Sequence, residues 1–181
     1  MIDMTRKTRF SSSLMHVFRA AHEAKDATKR IDIRTESGDR VIAGRRLRAS
    51  HTMTESALRR EVVRDLEAVL NTVAMESTVN VDEAEFVRKS ILNFGLPDIS
   101  AYTIDGVGMR EVPEQIKRAI INYEPRLAAE SLTVERDLSV SADELKVRFI
   151  VRADLICDPV PVAVEFVADV TEAGTIVVNR L

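Results

Sequence analysis

The sequence predicts an α+β fold in which N-terminal helices pack on one face of a small antiparallel β-sheet formed by the C-terminal half. Three observations predict it. Apolar residues recur every three or four positions as far as Tyr123, then at every second position beyond Leu132. The hydrophobic period therefore changes from helix to strand. Helices first and hairpin-linked strands after are the order of an α+β domain, not of alternating parallel βαβ units. At 181 residues, 45% of them hydrophobic, the chain can fill one ordinary core, and no repeat of 20 to about 50 residues points to a solenoid.

Charge divides the chain. Residues 1–53 hold 12 Lys/Arg against 6 Asp/Glu, whereas the remainder holds 14 against 23. This suggests a basic arm over residues 1–51, containing a short apolar helix near 13–22 and a flexible linker, ahead of a folded domain over 52–181. Phe10 and Phe18 are the only aromatic residues of the arm, and without aromatic interleaving a basic arm is read as solvated or bound to protein, with no nucleic acid. The basic cluster Arg45, Arg46 and Arg48 is read the same way. A single Cys157 excludes an intrachain disulfide framework. No apolar run approaches the roughly 20 residues of a membrane span, and no signal-type stretch follows Met1. The expectation is a soluble cytoplasmic protein without membrane insertion.

The elements follow in order. Leu14, Val17 and Phe18 stand at i, i+3 and i+4 and give a small apolar helical face that needs a docking surface. Residues 24–51 read as linker, with a brief strand at 30–34. Thr52-Met53-Thr54-Glu55 fits a capping box, and Leu58, Val62, Leu66, Val69 and Val73 then form one stripe. The opposite side carries Arg59, Arg60, Arg64 and Glu67, read as solvated. A second helix is expected from an Asp82 cap through Phe86, Val87 and Ile91 to Phe94, ended by Gly95 in a left-handed conformation. Residues 99–112 read as loop. Pro113 suits the first turn of a third helix bearing Ile116, Ala119, Ile120 and Tyr123. The strands are read with buried positions Leu132, Val134 and Leu138, then Leu145 through Cys157, then Val162 through Val170, and a short last strand over 175–179. Ile176, Val177 and Val178 make that terminal strand a candidate exposed edge, open to pairing with another chain.

The stretch Asn122-Tyr123-Glu124-Pro125-Arg126-Leu127 joins the helical part to the strands. Pro125 lacks an N–H and biases Glu124 away from helical geometry, so the helix stops and two opposite charges sit on a stiffened corner. From the residues alone, an internal Glu124–Arg126 brace and a corner offered to a partner both remain open. The partner-facing reading expects Arg126→Ala to leave the isolated fold intact.

Three blocks carry a resemblance: residues 58–72, the stretch Ser90-Ile91-Leu92-Asn93-Phe94-Gly95-Leu96-Pro97-Asp98, and residues 116–127 with Glu124-Pro125-Arg126. In this order and spacing they resemble the E-subunit family (TssE) of the type VI secretion baseplate, itself similar to the tail-lysozyme-like wedge protein of contractile phages. Ser13-Leu14-Met15 with Phe18 is similar to the short N-terminal motif of that family. The resemblance implies a structural subunit of the baseplate wedge at the cytoplasmic face of the inner membrane, without cofactor or metal. It implies contact with the wedge subunits TssF, TssG and TssK and the sheath subunits TssB and TssC. Its partner-binding residues are then Glu124, Pro125, Arg126, Leu14 and Phe18, and the strand-edge reading adds Ile176 and Val178.

The rival class is a lysozyme-like enzyme acting on peptidoglycan. Glycoside hydrolysis needs two carboxylates across a cleft, one with a raised pKa. With no Trp and two Tyr there is little to stack on sugar rings, and Glu124 beside an arginine is poorly placed as a proton donor. His16, His22 and His51 lack metal-ligand spacing, and Cys157 reads as a small core residue.

Overall fold

The computed structural model describes residues 10–11, 14–23, 52–103, 106–140, 145–157 and 160–180. They fall in two compact units, residues 1–61 and 62–181.

In the first unit, strand β1 (Phe10–Ser11) pairs antiparallel with β2 (Thr52–Met53), and Phe10 lies opposite Met53 with both buried. Helix α1 (Leu14–Glu23) forms where the apolar spacing predicts it. His16 and Arg19 reach the two oxygens of Glu61 at 3.3 and 3.1 Å. The expected capping box is displaced: Thr52 and Met53 are strand, and Thr54 is the cap of helix α2 (Glu55–Leu70). The Thr54 carbonyl accepts from Leu58 N at 3.0 Å and its hydroxyl accepts from Ala57 N at 3.3 Å. Ala57 carries only a methyl group and cannot return the bond, so the cap is a single one. The linker and the strand expected at 30–34 lie outside the described residues.

On α2 the residues Leu58, Val62, Leu66 and Val69 are buried as their spacing predicts. Val73 is not: the helix ends at Leu70, which is buried instead, and Val73 is 56% exposed.

The second helix differs most. In place of one helix over 82–94 there is a single turn, α3 (Glu85–Arg88), and a 3₁₀ turn at Ile91–Asn93. Phe86 and Ile91, the expected inward residues, are 93% and 73% exposed. Asparagines are the reason. The cap position of the turn falls at Ala84 and not at Asp82, whose N–H is taken by Asn80 at 2.8 Å, and Asn93 accepts from Glu76 N at 2.9 Å while donating to Arg88 O at 3.2 Å. Side chains that bond the local backbone compete with a helix ladder. The buried place goes to Asn93, 4% exposed.

Gly95 has φ +123°, and a Cβ there would stand 2.1 Å from the Thr72 carbonyl oxygen. Only glycine fits. Its freedom lets Leu96 bond back across the chain, N–H to Thr72 O at 2.8 Å and O from Ala74 N at 2.7 Å. The third helix, α4 (Val107–Tyr123), starts six residues before Pro113, so the expected loop ends at the cap Gly106. Met109 and Val112 extend the stripe of Ile116, Ala119 and Ile120, all buried. That burial outweighs the one backbone bond that Pro113 removes.

The sheet runs in the order β3 (Thr133–Asp137), β4 (Lys146–Leu155), β5 (Val162–Thr171), β6 (Ile176–Arg180), antiparallel throughout, and α4 packs against β3. One face is apolar: Val147, Phe149, Val151, Ala153 and Leu155 are buried beside Val164, Phe166, Ala168 and Val170, then Ile176 and Val178. Leu138 and Leu145 are exceptions, 84% and 56% exposed, because both fall beyond the strand ends. Cys157 too lies past β4, half-buried, its thiol donating to Val160 O at 3.2 Å.

The other face is a ladder of ion pairs. Arg148 forks onto Asp169 at 2.7 and 3.0 Å, and Arg152 joins Glu135 at 3.2 Å to Glu165 at 3.0 Å. Cross-strand opposite charges of this kind stabilise the pairing. The hydrogen bond from Arg148 outweighs burial and holds the Asp169 carboxyl below the ordinary range, with help from the charges of Arg148 and Lys146.

Candidate functional site

The corner begins where α4 stops. Glu124 has φ −125° and ψ 72°, outside the helical range that the following proline disfavours. Its N–H still donates to Ile120 O at 2.8 Å, and Leu127 N donates back to Glu124 O at 3.1 Å, closing a turn. That turn is pinned to the end of β4: Ile156 N donates to Arg126 O at 2.7 Å and Ala128 N to Asp154 O at 2.9 Å.

Glu124 is only 3% exposed, a buried carboxylate. Arg126 satisfies it with a two-pronged contact, Nε to Oε1 at 2.6 Å and Nη2 to Oε2 at 2.5 Å. The same Nη2 donates to Asp65 Oδ2 at 2.5 Å. Planar guanidinium and two carboxylates make a brace between the corner and α2. Burial discourages the Arg126 charge, but the hydrogen bond and charge of Glu124, then of Asp65, outweigh it and raise its pKa above the ordinary arginine value. Pro125 points outward and is exposed. The internal brace left open by the sequence is thus formed, with a third member the sequence reading did not single out.

The three sequence blocks meet here. Residues 58–72 supply Asp65 to Arg126; Tyr123 donates its hydroxyl to Asn93 O at 2.6 Å and stacks at a tilt on Phe94, ring centres 5.1 Å apart. Burial, and next the Glu76 charge, push the Tyr123 phenol up. Thr72 takes the Leu96 N–H. Each block therefore holds another, which is a physical reason for them to occur together.

Residues 56–160 match the family model described as baseplate wedge protein gp25, more than half of the 181-residue chain. The chain belongs to this family. Its likeness to the phage baseplate wedge protein is therefore a finding, and with it a structural role in a baseplate. No curated protein and no solved structure matches the chain.

The other expected contact residues of this wedge protein are dispersed. Leu14 opens α1, and its side chain is outside the described ones; Phe18 on the same helix is 62% exposed. Ile176 and Val178 are 1% and 4% exposed, so their side chains belong to the core and only their main chain faces the sheet edge. That edge is closed at its first rung. Asn71 Nδ2 donates to Ile176 O at 2.7 Å, and Ile176 N donates to Asn71 Oδ1 at 2.9 Å. Sequence reasoning missed Asn71 as well as Asp65. The available signal for Asn71 was its place just past the end of a helix, where a carboxamide can bond main chain.

A cleft of about 280 Å³ lies between the turns at 76–97 and α4, lined by Glu76, Arg88, Lys89, Asn93, Arg118 and Tyr123 among others. Glu76 is the one carboxylate lining it; the adjoining groove adds Asp82, whose side chain is 83% exposed and touches Arg88 at 3.2 Å. A water-exposed carboxylate on a guanidinium lacks the apolar setting that makes a general acid. Among the described residues no cluster of His, Cys, Asp or Glu is arranged to hold a metal, and no helix is long and apolar enough to cross a membrane.

Proposed function

We propose that this wedge protein is the E subunit of a type VI secretion baseplate, a non-catalytic joint that the wedge subunits TssF, TssG and TssK grip at the Glu124-Pro125-Arg126 corner. The observation that carries the reading is the corner itself: Pro125 stands exposed on a turn fixed from behind by buried Glu124, by Arg126 and by Asp65. A turn held this firmly presents a preorganised shape to a neighbour, which lowers the entropy cost of docking. Assembly takes place in the cytoplasm, at the cytoplasmic face of the inner membrane. Phe18 on α1 offers a second apolar contact. The main chain of β6 offers a place where TssB and TssC sheath arms can pair, which gives the first sheath ring a template.

The test separates joint from brace. Pro125→Ser removes the exposed ring without touching the Arg126 contacts. Co-purification with the wedge subunits should fall while thermal unfolding shifts little; retained co-purification with a normal unfolding curve overturns the joint. For the sheath contact, deleting residues 175–181 would remove two buried side chains and damage the fold. Arg180→Pro is the cleaner change, because alternation along β6 turns the N–H of position 180 away from β5, where an edge tolerates proline. Sheaths of normal number and length in cells carrying it overturn the templating role.

A further inference from the structure

Asn71 does something at the sheet edge that neither the corner nor the family assignment explains. A peptide group offers one N–H and one C=O, and a neighbouring strand takes both with its own. The Asn71 carboxamide reproduces this: it gives an N–H to Ile176 O at 2.7 Å and takes the Ile176 N–H at 2.9 Å. Its second N–H goes to Glu67 O at 3.0 Å, which ties the group to the last turn of α2. The side chain is therefore satisfied and held in place. Because both main-chain groups of Ile176 are used by Asn71, they point away from β5, and the groups of Val177 point toward it.

We propose that Asn71 is a latch on the β6 edge: its carboxamide sits, as an internal stand-in for a peptide group, in the seat where an incoming strand pairs, and it must swing out for another chain to pair at Ile176. The occupant is an extended main-chain segment, because the group now in the seat is itself an amide. No ion or aromatic ring would match one donor and one acceptor at that spacing. Asn71 is exposed while Ile176 is 1% exposed, so the latch can leave into solvent without unpacking the core beneath it. The identity of the strand donor as a sheath subunit rests on the proposed function; the latch does not.

The experiment is site-resolved amide hydrogen exchange on the full chain. In Asn71→Ala the Ile176 amide should exchange at least tenfold faster, while the Val177 amide, bonded into β5, keeps its protection. Asn71→Asp cannot donate to Ile176 O or Glu67 O and would set a carboxylate oxygen against both carbonyls, so it too should release the Ile176 amide while Val177 keeps its protection. If Ile176 and Val177 lose protection in parallel in both variants, or if Ile176 does not change in Asn71→Ala, the latch is overturned and Asn71 is only a support for the fold. A second arm mixes purified chain with purified TssB–TssC. Capture that appears in Asn71→Ala and not in the wild type supports the latch acting on the sheath contact. Exchange that responds with no gain in capture overturns the sheath-pairing reading and leaves the latch standing.

Discussion

The corner at Glu124 and the edge at Ile176 both turn groups that a sequence reading leaves facing outward back onto the protein, yet with different chemistry. At the corner two carboxylates share one guanidinium. At the edge a neutral carboxamide meets a peptide group. Helix α2 and the residue after it supply the closing side chain in both cases, Asp65 and Asn71. The contrast teaches how each can be opened. A buried ionised group left alone costs far more than an orphaned amide, so the corner is a rigid part of the fold and the edge is the part that yields.

The largest expected effect tests that ranking directly. Arg126→Ala leaves Glu124, 3% exposed, without its main partner, and breaking a buried pair from one side costs about 3–5 kcal/mol. The denaturation midpoint should fall accordingly with an unchanged m-value. This reverses the expectation that the isolated fold survives the change intact. A loss under about 1 kcal/mol would place the corner on the same footing as a surface pair.

Next comes Asn71→Ala, which leaves Ile176 N–H and C=O without their partner. Water can reach the vacated place because Asn71 is exposed, so the cost should sit near the low end of about 1–3 kcal/mol. Urea titration at two salt concentrations sharpens the comparison. The Asn71→Ala loss should not depend on salt, and the Arg126→Ala loss should be modestly salt-dependent.

A smaller effect separates charge from amide by pH. Asp169 is held by Arg148 below the ordinary carboxylate range. A depressed folded pKa contributes stability that is present above the unfolded value, about 3.9, and is lost as pH falls through it toward the folded value. Between pH 5 and about 3, wild type should therefore lose more stability than Asp169→Asn. The amide rung at Asn71 has no titrating group, so Asn71→Ala should track wild type across that window. Parallel curves for wild type and Asp169→Asn would show that the Arg148–Asp169 rung adds nothing to the fold.

Much of this fold is visible in the sequence because burial imposes a period. β4 buries every second residue from Val147 to Leu155, β5 buries Val164, Phe166, Ala168 and Val170 on the same face and adds Val167 and Asp169 on the other, and α2 and α4 bury theirs at helical spacing. The start of α4 is hidden because Gly106 and Gly108 argue locally for a loop and Pro113 for a helix that begins there, while Met109 and Val112 decide for helix only once there is a core to enter. The corner is visible because Pro125 marks it. Its third member is not: Asp65 meets Arg126 across 61 residues, and no local pattern distinguishes one Asp of a helix from another; Asn71 meets Ile176 across 105, and its place just past a helix marks it as able to bond main chain without saying which main chain. The sheet edge misled for the same reason, since its cover comes from elsewhere in the chain.

The smallest expected effect concerns Phe86, where periodicity pointed to a core and none formed. A phenylalanine in a packed interior loses about 3–5 kcal/mol when truncated. Phe86 is 93% exposed on a single helical turn, and surface positions of this kind move stability by no more than about 0.5 kcal/mol. Phe86→Ser should therefore leave the denaturation midpoint almost unchanged, in contrast to Phe149→Ala on β4, whose side chain is fully buried. A loss of several kcal/mol in Phe86→Ser would restore the long helix with Phe86 facing inward. That outcome would also remove the local asparagine bonds of Asn80 and Asn93 as the reason the helix breaks, because those bonds and a helix ladder over 82–94 compete for the same backbone groups.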